Sequence, residues 1–199
     1  MEKSMIREAE IKRTTRETDI SCKLLLDGSG KAEIDTGVGF FDHMLTGFAK
    51  HGFFDLSLKC RGDLEVDCHH TIEDCGIVLG QAVNKALGDK AGIVRFGSFI
   101  LPMDEALVLT AIDLSGRPCF SFDLNFRGEK CGEMDTAMCR EFFYAVCTNA
   151  MMNLHIRELS GLNDHHLMEA AFKSFGKALS QAVAKDDRIE GVLSTKGSL

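Results

Sequence analysis

The feature that most restricts how this chain can fold is a pattern that occurs twice. Asp-Cys-His-His-Thr-Ile-Glu-Asp runs from Asp67 to Asp74, and Asn-Asp-His-His-Leu-Met-Glu-Ala from Asn163 to Ala170. Each has adjacent histidines and a glutamate four residues after the first, so four of seven histidines serve one motif. The copies lie 96 positions apart, and at that offset Gly80, Ala82 and Ala86 fall on Gly176, Ala178 and Ala182. Upstream, with small gaps, EIDTGVGFFDHML lies over EMDTAMCREFFYA, and LLLDGSGK over TAIDLSGR. Three matches in the same order point to an internal duplication. The repeats are expected to cover about residues 1–92 and 93–199 of a single domain.

Local patterning fills in each repeat. ISCKLLLDGSGKAEID reads as two strands around a turn, because Asp-Gly-Ser-Gly supplies turn residues between apolar stretches. GFFDHMLTGFAKHG spaces its apolar residues as a helix does and stops at Gly52. FFDLSLKC alternates as a strand, and HTIEDCGIVLGQAVNKALGD reads as a helix ending at Gly88. The second half is expected to repeat this, with strands in ALVLTAIDLSGRPCFSFDL, a helix over TAMCREFFYAVCTNAMM, a strand at NLHIREL, and a helix from about Asp164 to Lys185. The predicted class is α+β, a duplicated β-β-α-β-α unit. Two such units bury their helices most simply as a four-helix layer between two sheets.

Composition narrows the function. A chain of 199 residues with 45% apolar content can bury a sizeable core. A formal charge of −7 argues against a nucleic-acid binder, which usually presents a basic face. No apolar run reaches the ~20 residues of a membrane helix, and MEKSMIREAEIKRTTRETD lacks the apolar core of a signal peptide. A cytoplasmic location is expected. The eight cysteines include no C-x-x-C pair and read as buried thiols.

On a helix, residues four apart share a face, so His69 lies near Glu73 and His165 near Glu169. An imidazole and a carboxylate at that spacing can grip one metal ion. His70 and His166 point ~100° away and cannot easily join that ion. Each motif therefore serves two different metals, or one metal plus a catalytic or bridging contact. Nitrogen and oxygen donors without thiolate favour Mn, Fe or Zn used catalytically. His43 is a further candidate, and the repeat places Glu141 opposite it. Read singly, His51 near a helix end and His155 in an alternating strand are ordinary polar residues. A dinuclear hydrolase and a metal-storage assembly remain compatible with the motifs alone.

With these residues assembled, the chain closely resembles the imidazoleglycerol-phosphate dehydratase family. The resemblance runs from RTTRETDI through FFDHML, DCHHTIEDCGI, RFGSFILPMDEAL, DLSGRP and NLHI to NDHHLMEAAFKSFGKAL and LSTKG. It implies a lyase of histidine biosynthesis that dehydrates imidazole glycerol phosphate to imidazole acetol phosphate through an imidazolate-type intermediate. It also implies two Mn2+ ions per active site, a homo-oligomer of 24 subunits with sites between subunits, and a ribosomal protein S5 domain 2-like fold. The implied metal ligands are His43, His69, His70, Glu73, His165, His166 and Glu169. Glu141 stands where many members carry histidine, and a carboxylate can replace imidazole on manganese. The implied catalytic carboxylates are Glu17, Glu73 and Glu169, with Glu17 the first choice as base. Implied substrate contacts are Glu17, His43, His51, His69 and His165, with Arg95, Arg117, Lys173, Ser194, Thr195 and Lys196 toward the phosphate.

Overall fold

A computed structural model of the chain describes residues 6–198. The first half comprises β1 (Glu8–Thr14), β2 (Thr18–Leu25), β3 (Ala32–Asp35), α1 (Gly39–Gly52), β4 (Asp55–Gly62) and α2 (His69–Leu87). The second half repeats the order with β5 (Phe96–Met103), β6 (Ala106–Asp113), β7 (Cys119–Asp123), a two-stranded ribbon β8 (Lys130–Cys131) and β9 (Met134–Asp135), α3 (Ala137–Ala150), β10 (Asn153–Ser160) and α4 (Asp164–Val183). The two sheets have matching orders, β1-β2-β4-β3 and β5-β6-β10-β7. In each, the last strand runs parallel to its neighbour and the other pairs are antiparallel.

One point differs from the sequence reading, and two add to it. Each half begins with one more strand than expected, making the unit β-β-β-α-β-α. The missed strands are sheet edges. β1 buries only Ala9, and β5 carries Pro102, so neither shows strong strand patterning. The turn after Leu25 exists, but β2 and β3 are not a hairpin: β4 lies between them. A turn is local chemistry, whereas a parallel partner needs a crossover, supplied here by α1 between β3 and β4. Third, EMDT is not a strand equivalent of EIDT. The counterpart of β3 is β7, and the β8–β9 ribbon is inserted before α3.

The duplication is visible in backbone detail. Gly30 and Gly116, matched by LLLDGSGK and TAIDLSGR, both have positive φ (84° and 75°), where a Cβ is disfavoured. α1 packs on α4 and α2 on α3, so the helices of the two halves face each other between the sheets. Gly80 and Gly176 explain their repetition here. A Cβ at Gly80 would lie 2.7 Å from the Val146 carbonyl oxygen, and one at Gly176 2.6 Å from that of Phe48. Each glycine lets one helix backbone touch its partner from the other half. Around this contact Phe48, Phe142, Phe143, Phe172 and Phe175 interlock with centroids 4.8–5.4 Å apart, each burial contributing roughly 1.5–3 kcal/mol. Seven of the eight cysteines are buried, and Cys119, on the edge strand β7, is exposed. Burial pushes the Cys22 thiol up to about 12. No helix among the described residues is long and apolar enough to cross a membrane.

Candidate metal centre and anion cleft

Both histidine pairs open a helix. Asn163 caps α4, its side-chain oxygen accepting from the backbone N–H of His165 and His166. At α2 the Asp67 carboxylate accepts from the His69 N–H at 2.7 Å. The first histidine of each pair then meets the glutamate one turn on. His69 Nε2 is 3.5 Å from Glu73 Oε2, and His165 Nε2 is 3.2 Å from Glu169 Oε2. Two ligands ~2.1 Å from one ion at a right angle are about 3 Å apart, so both spacings fit a shared ion. The second histidines turn aside as the helical spacing requires: ring planes within each pair differ by 71° and 80°.

Packing of α1 on α4 brings a third donor to the second-half pair. His43 Nε2 lies 3.8 Å from Glu169 Oε2. His43, His165 and Glu169 place one ligand atom each within 4.8 Å of one another, the one such convergent group among the described residues. The donor set, two imidazoles and a carboxylate, suits a divalent cation such as Mn2+, Fe2+ or Zn2+. Glu169 is buried, and its other oxygen binds Lys173 Nζ at 2.6 Å. Burial pushes this carboxyl up, but the Lys173 hydrogen bond and charge, with His43 and His165, outweigh it and hold it below the usual range. His51, near the end of α1, is depressed by burial and by Lys173 and Lys177.

The first-half pair has different surroundings. His70 Nδ1 lies 3.0 Å from Asp63, while its Nε2 is 3.8 Å from Glu17 Oε1. His166 is arranged similarly, with Nδ1 2.8 Å from Glu105 and Nε2 3.7 Å from Asp104. These carboxylates raise both imidazoles, through the Asp63 hydrogen bond for His70 and that of Glu105 for His166. The His166 hydrogen bond and backbone donors hold Glu105 down at about 2. Glu141 does not join His69 and Glu73. It pairs with its neighbour Arg140 at 2.9 Å.

All of the expected phosphate contacts but Lys173 gather elsewhere. Arg95, Arg117, Ser194, Thr195 and Lys196 line one cleft of about 730 Å³. Arg95 stands at positive φ (73°), with Nε and Nη2 bound to Asp113 at 2.7 and 3.1 Å and Nη1 donating to the Leu193 carbonyl at 2.8 Å. Three of its five N–H donors are thus engaged and two remain for an anion. Lys173 is not part of this cleft, being bound to Glu169. Sequence reasoning missed Arg188, which lines the cleft, and the carboxylates Asp63, Asp104 and Glu105. Asp104 and Glu105 lie in the PMDEAL stretch, but no spacing rule ties them to His166.

Two sheets enclosing a duplicated four-helix layer, with imidazole–carboxylate pairs at equivalent helix starts, define an α+β enzyme fold with a candidate metal centre. The sequence profile of imidazoleglycerol-phosphate dehydratase matches residues 36–179. The imidazoleglycerol-phosphate dehydratases of Lachnoclostridium phytofermentans and Acetivibrio thermocellus are each 60% identical over 195 residues, covering 98% of this chain and all of theirs. Among solved structures, imidazoleglycerol-phosphate dehydratase from Staphylococcus aureus superposes with a TM-score of 0.82 at 39% identity, covering 90% of this chain and 99% of that one. The Pyrococcus furiosus structure gives the same TM-score and identity, covering 95% and 100%. The chain belongs to the imidazoleglycerol-phosphate dehydratase family, hydro-lyases of histidine biosynthesis.

Proposed function

We propose that the chain dehydrates imidazole glycerol phosphate to imidazole acetol phosphate at a centre holding two Mn2+ ions, in the cytoplasm. The observation that carries this reading is the pair of imidazole–carboxylate groups at equivalent starts of α2 and α4, accompanied by a separate cationic cleft. His43, His165 and Glu169 would hold one ion, and His69 with Glu73 would supply ligands to the other. His70 and His166 offer Nε2 in a different direction and complete the ligand set. Glu141, engaged with Arg140, stays outside both groups within one chain. When bound, the ions supply Lewis acidity that favours an imidazolate-type form of the substrate ring and orients its diol.

The residues divide the remaining work. The hydrogen to be removed sits on a carbon without an adjacent carbonyl, so a positioned base is needed. The Glu17 carboxylate, 3.8 Å from His70 Nε2, takes that proton, and the hydroxyl on the carbon next to the ring departs, so that water leaves overall. The two unspent donors of Arg95, with Arg117, Lys196, Ser194 and Thr195, bind the phosphate. Lys173 keeps Glu169 ionised, and His51 adds a neutral imidazole nearby. The cleft and the convergent histidine–glutamate group share no residue. That separation supports active sites completed between copies; the homo-oligomer of 24 subunits is the assembly that the family resemblance implies.

The deciding experiment is turnover of imidazole glycerol phosphate by metal-stripped protein with and without Mn2+, following both acetol phosphate and inorganic phosphate. Manganese-dependent product without free phosphate is expected. Phosphate release would identify a hydrolase instead, and a folded protein inert with every divalent ion would overturn the reading. Truncation before Ser194 should raise KM and leave the melting temperature unchanged. Unaltered kinetics in that variant would remove the tail from the phosphate site.

A further inference from the structure

The geometry points to Asp63 and Glu105 as matched positioning residues, each fixing the second histidine of one motif with hydrogen on Nδ1 and the lone pair on Nε2. The inference rests on the metal-dependent reading above and extends it to residues outside the ligand set. His70 Nδ1 lies 3.2 and 3.0 Å from the two Asp63 oxygens, and His166 Nδ1 lies 2.8 Å from Glu105 Oε2. An ionised carboxylate only accepts hydrogen bonds, so the ring nitrogen it meets must carry the hydrogen. In a neutral imidazole the lone pair is then on Nε2, which lies 3.8 Å from Glu17 in His70 and 3.7 Å from Asp104 in His166, too far for a hydrogen bond, and is open to a metal ion.

Both residues are themselves held, Asp63 through its backbone and Glu105 through its carboxylate. The Asp63 backbone N–H donates to the Glu17 carbonyl at 3.1 Å, and its carbonyl accepts from Val66 at 2.8 Å. Glu105 uses its other oxygen to accept from the backbone N–H of Leu162 and Asn163, at 3.2 and 2.8 Å. One side chain thus ties the entry of α4 and aims the ring on its first turn. A carboxylate anchored in this way determines ring orientation as well as tautomer.

The two halves reach this contact by different routes. Asp63 lies in the loop between β4 and α2, whereas Glu105 lies in the turn between β5 and β6. The loop equivalent to that of Asp63 is Gly161–Asn163, which contains no carboxylate. The Nδ1 contact was therefore not copied with the repeat, although the β1–β2 turn, equivalent to the β5–β6 turn, also places a carboxylate, Glu17, 3.8 Å from His70 Nε2. The same ring nitrogen of the same motif position is met from two different loops. An ion pair that only stabilised a loop would not need that coincidence. The first histidines behave differently, turning Nε2 toward the glutamate of their own helix.

The test compares full-length wild-type protein with Asp63→Ala, Asp63→Asn, Glu105→Ala and Glu105→Gln. Mn2+ affinity is measured by titration calorimetry, and imidazole tautomers by solid-state 15N spectra of histidine-labelled, metal-free protein. The alanine variants should bind Mn2+ roughly 10–100-fold more weakly, the range typical of lost outer partners. They should also lose Nδ1–H population on one histidine. The amide variants keep an oxygen acceptor and should lose less. Alanine variants with wild-type affinity and tautomers, or with only a lower melting temperature, would overturn the inference while leaving the metal reading intact. A wild-type protein that binds no divalent ion would overturn both.

Discussion

The two histidine–glutamate pairs come from one ancestral pattern, yet they have reached different degrees of closure. Around α4, Glu169 is largely buried, with 10% of its side chain exposed, and it is clamped by Lys173 and approached by His43. Around α2, Glu73 keeps 42% of its side chain exposed, and Ile77 stands where the first turn beyond Glu169 has Lys173. The helix that packs on α2 presents Glu141, which is occupied by Arg140. The second-half group is preorganised within one chain, and the first-half group is an open pair. The difference shows that duplicating a helix copies the i, i+4 pair, because that pair is local. It does not copy what neighbouring helices bring to it.

This contrast is broken most directly at the glutamates. Glu169→Gln should weaken Mn2+ binding by more than about 100-fold, beyond the range for outer partners. Glu73→Gln should cost roughly 10-fold, because an exposed pair leaves water as a substitute ligand. Titration of metal-stripped protein checks both, and equal losses would show that, once another copy completes the site, Glu73 holds its ion as firmly as the buried Glu169 does. Lys173→Met keeps the buried stem but removes the cation beside a buried carboxylate. It should lower the stability of the metal-free protein by about 2 kcal/mol, measured by denaturant unfolding. An unchanged midpoint would show that His43 and His165 alone hold Glu169 ionised.

The α1 and α3 helices provide a finer comparison. His43→Ala should weaken Mn2+ binding about 10-fold, whereas Glu141→Ala should change it by less than about 3-fold, since only His43 reaches a histidine–glutamate pair within the chain. A large effect at Glu141 would mean that Arg140 releases it on metal binding. The alignment of EFFYA with FFDHML suggested equal roles for the two positions, and the structure separates them.

That separation marks where sequence reading succeeds and where it stops. His69–Glu73 and His165–Glu169 were legible because helical spacing alone decides them. Gly80 and Gly176 were legible as a match, although their reason, backbone contact between halves, is tertiary. The edge strands β1 and β5 were missed because an edge buries few side chains, and the insertion of β4 between β2 and β3 was not legible because turn residues say nothing about which strand lies alongside. Asp63 and Glu105 were out of reach for a related cause. They stand 7 and 61 residues from the histidines they hold: the path of the β4–α2 loop brings Asp63 there, and sheet topology brings Glu105.

The smallest expected effect concerns how each helix starts. The Asn163 side chain accepts from two backbone N–H groups at the start of α4, where no other side chain takes both. Asn163→Ala removes a cap and leaves those donors to water, which should lower global stability by about 1 kcal/mol. At α2 the residue in the cap position is Cys68, which makes no side-chain cap bond, and Asp67 supplies a single acceptor from one residue earlier. Cys68→Ala should therefore cost less than Asn163→Ala in the same unfolding experiment. Because His166 is also held through Glu105, which binds the Asn163 backbone rather than its side chain, Asn163→Ala should leave Mn2+ affinity within about twofold of wild type. A larger loss of affinity would mean that the cap, and not Glu105, sets the angle at which α4 presents its two imidazoles.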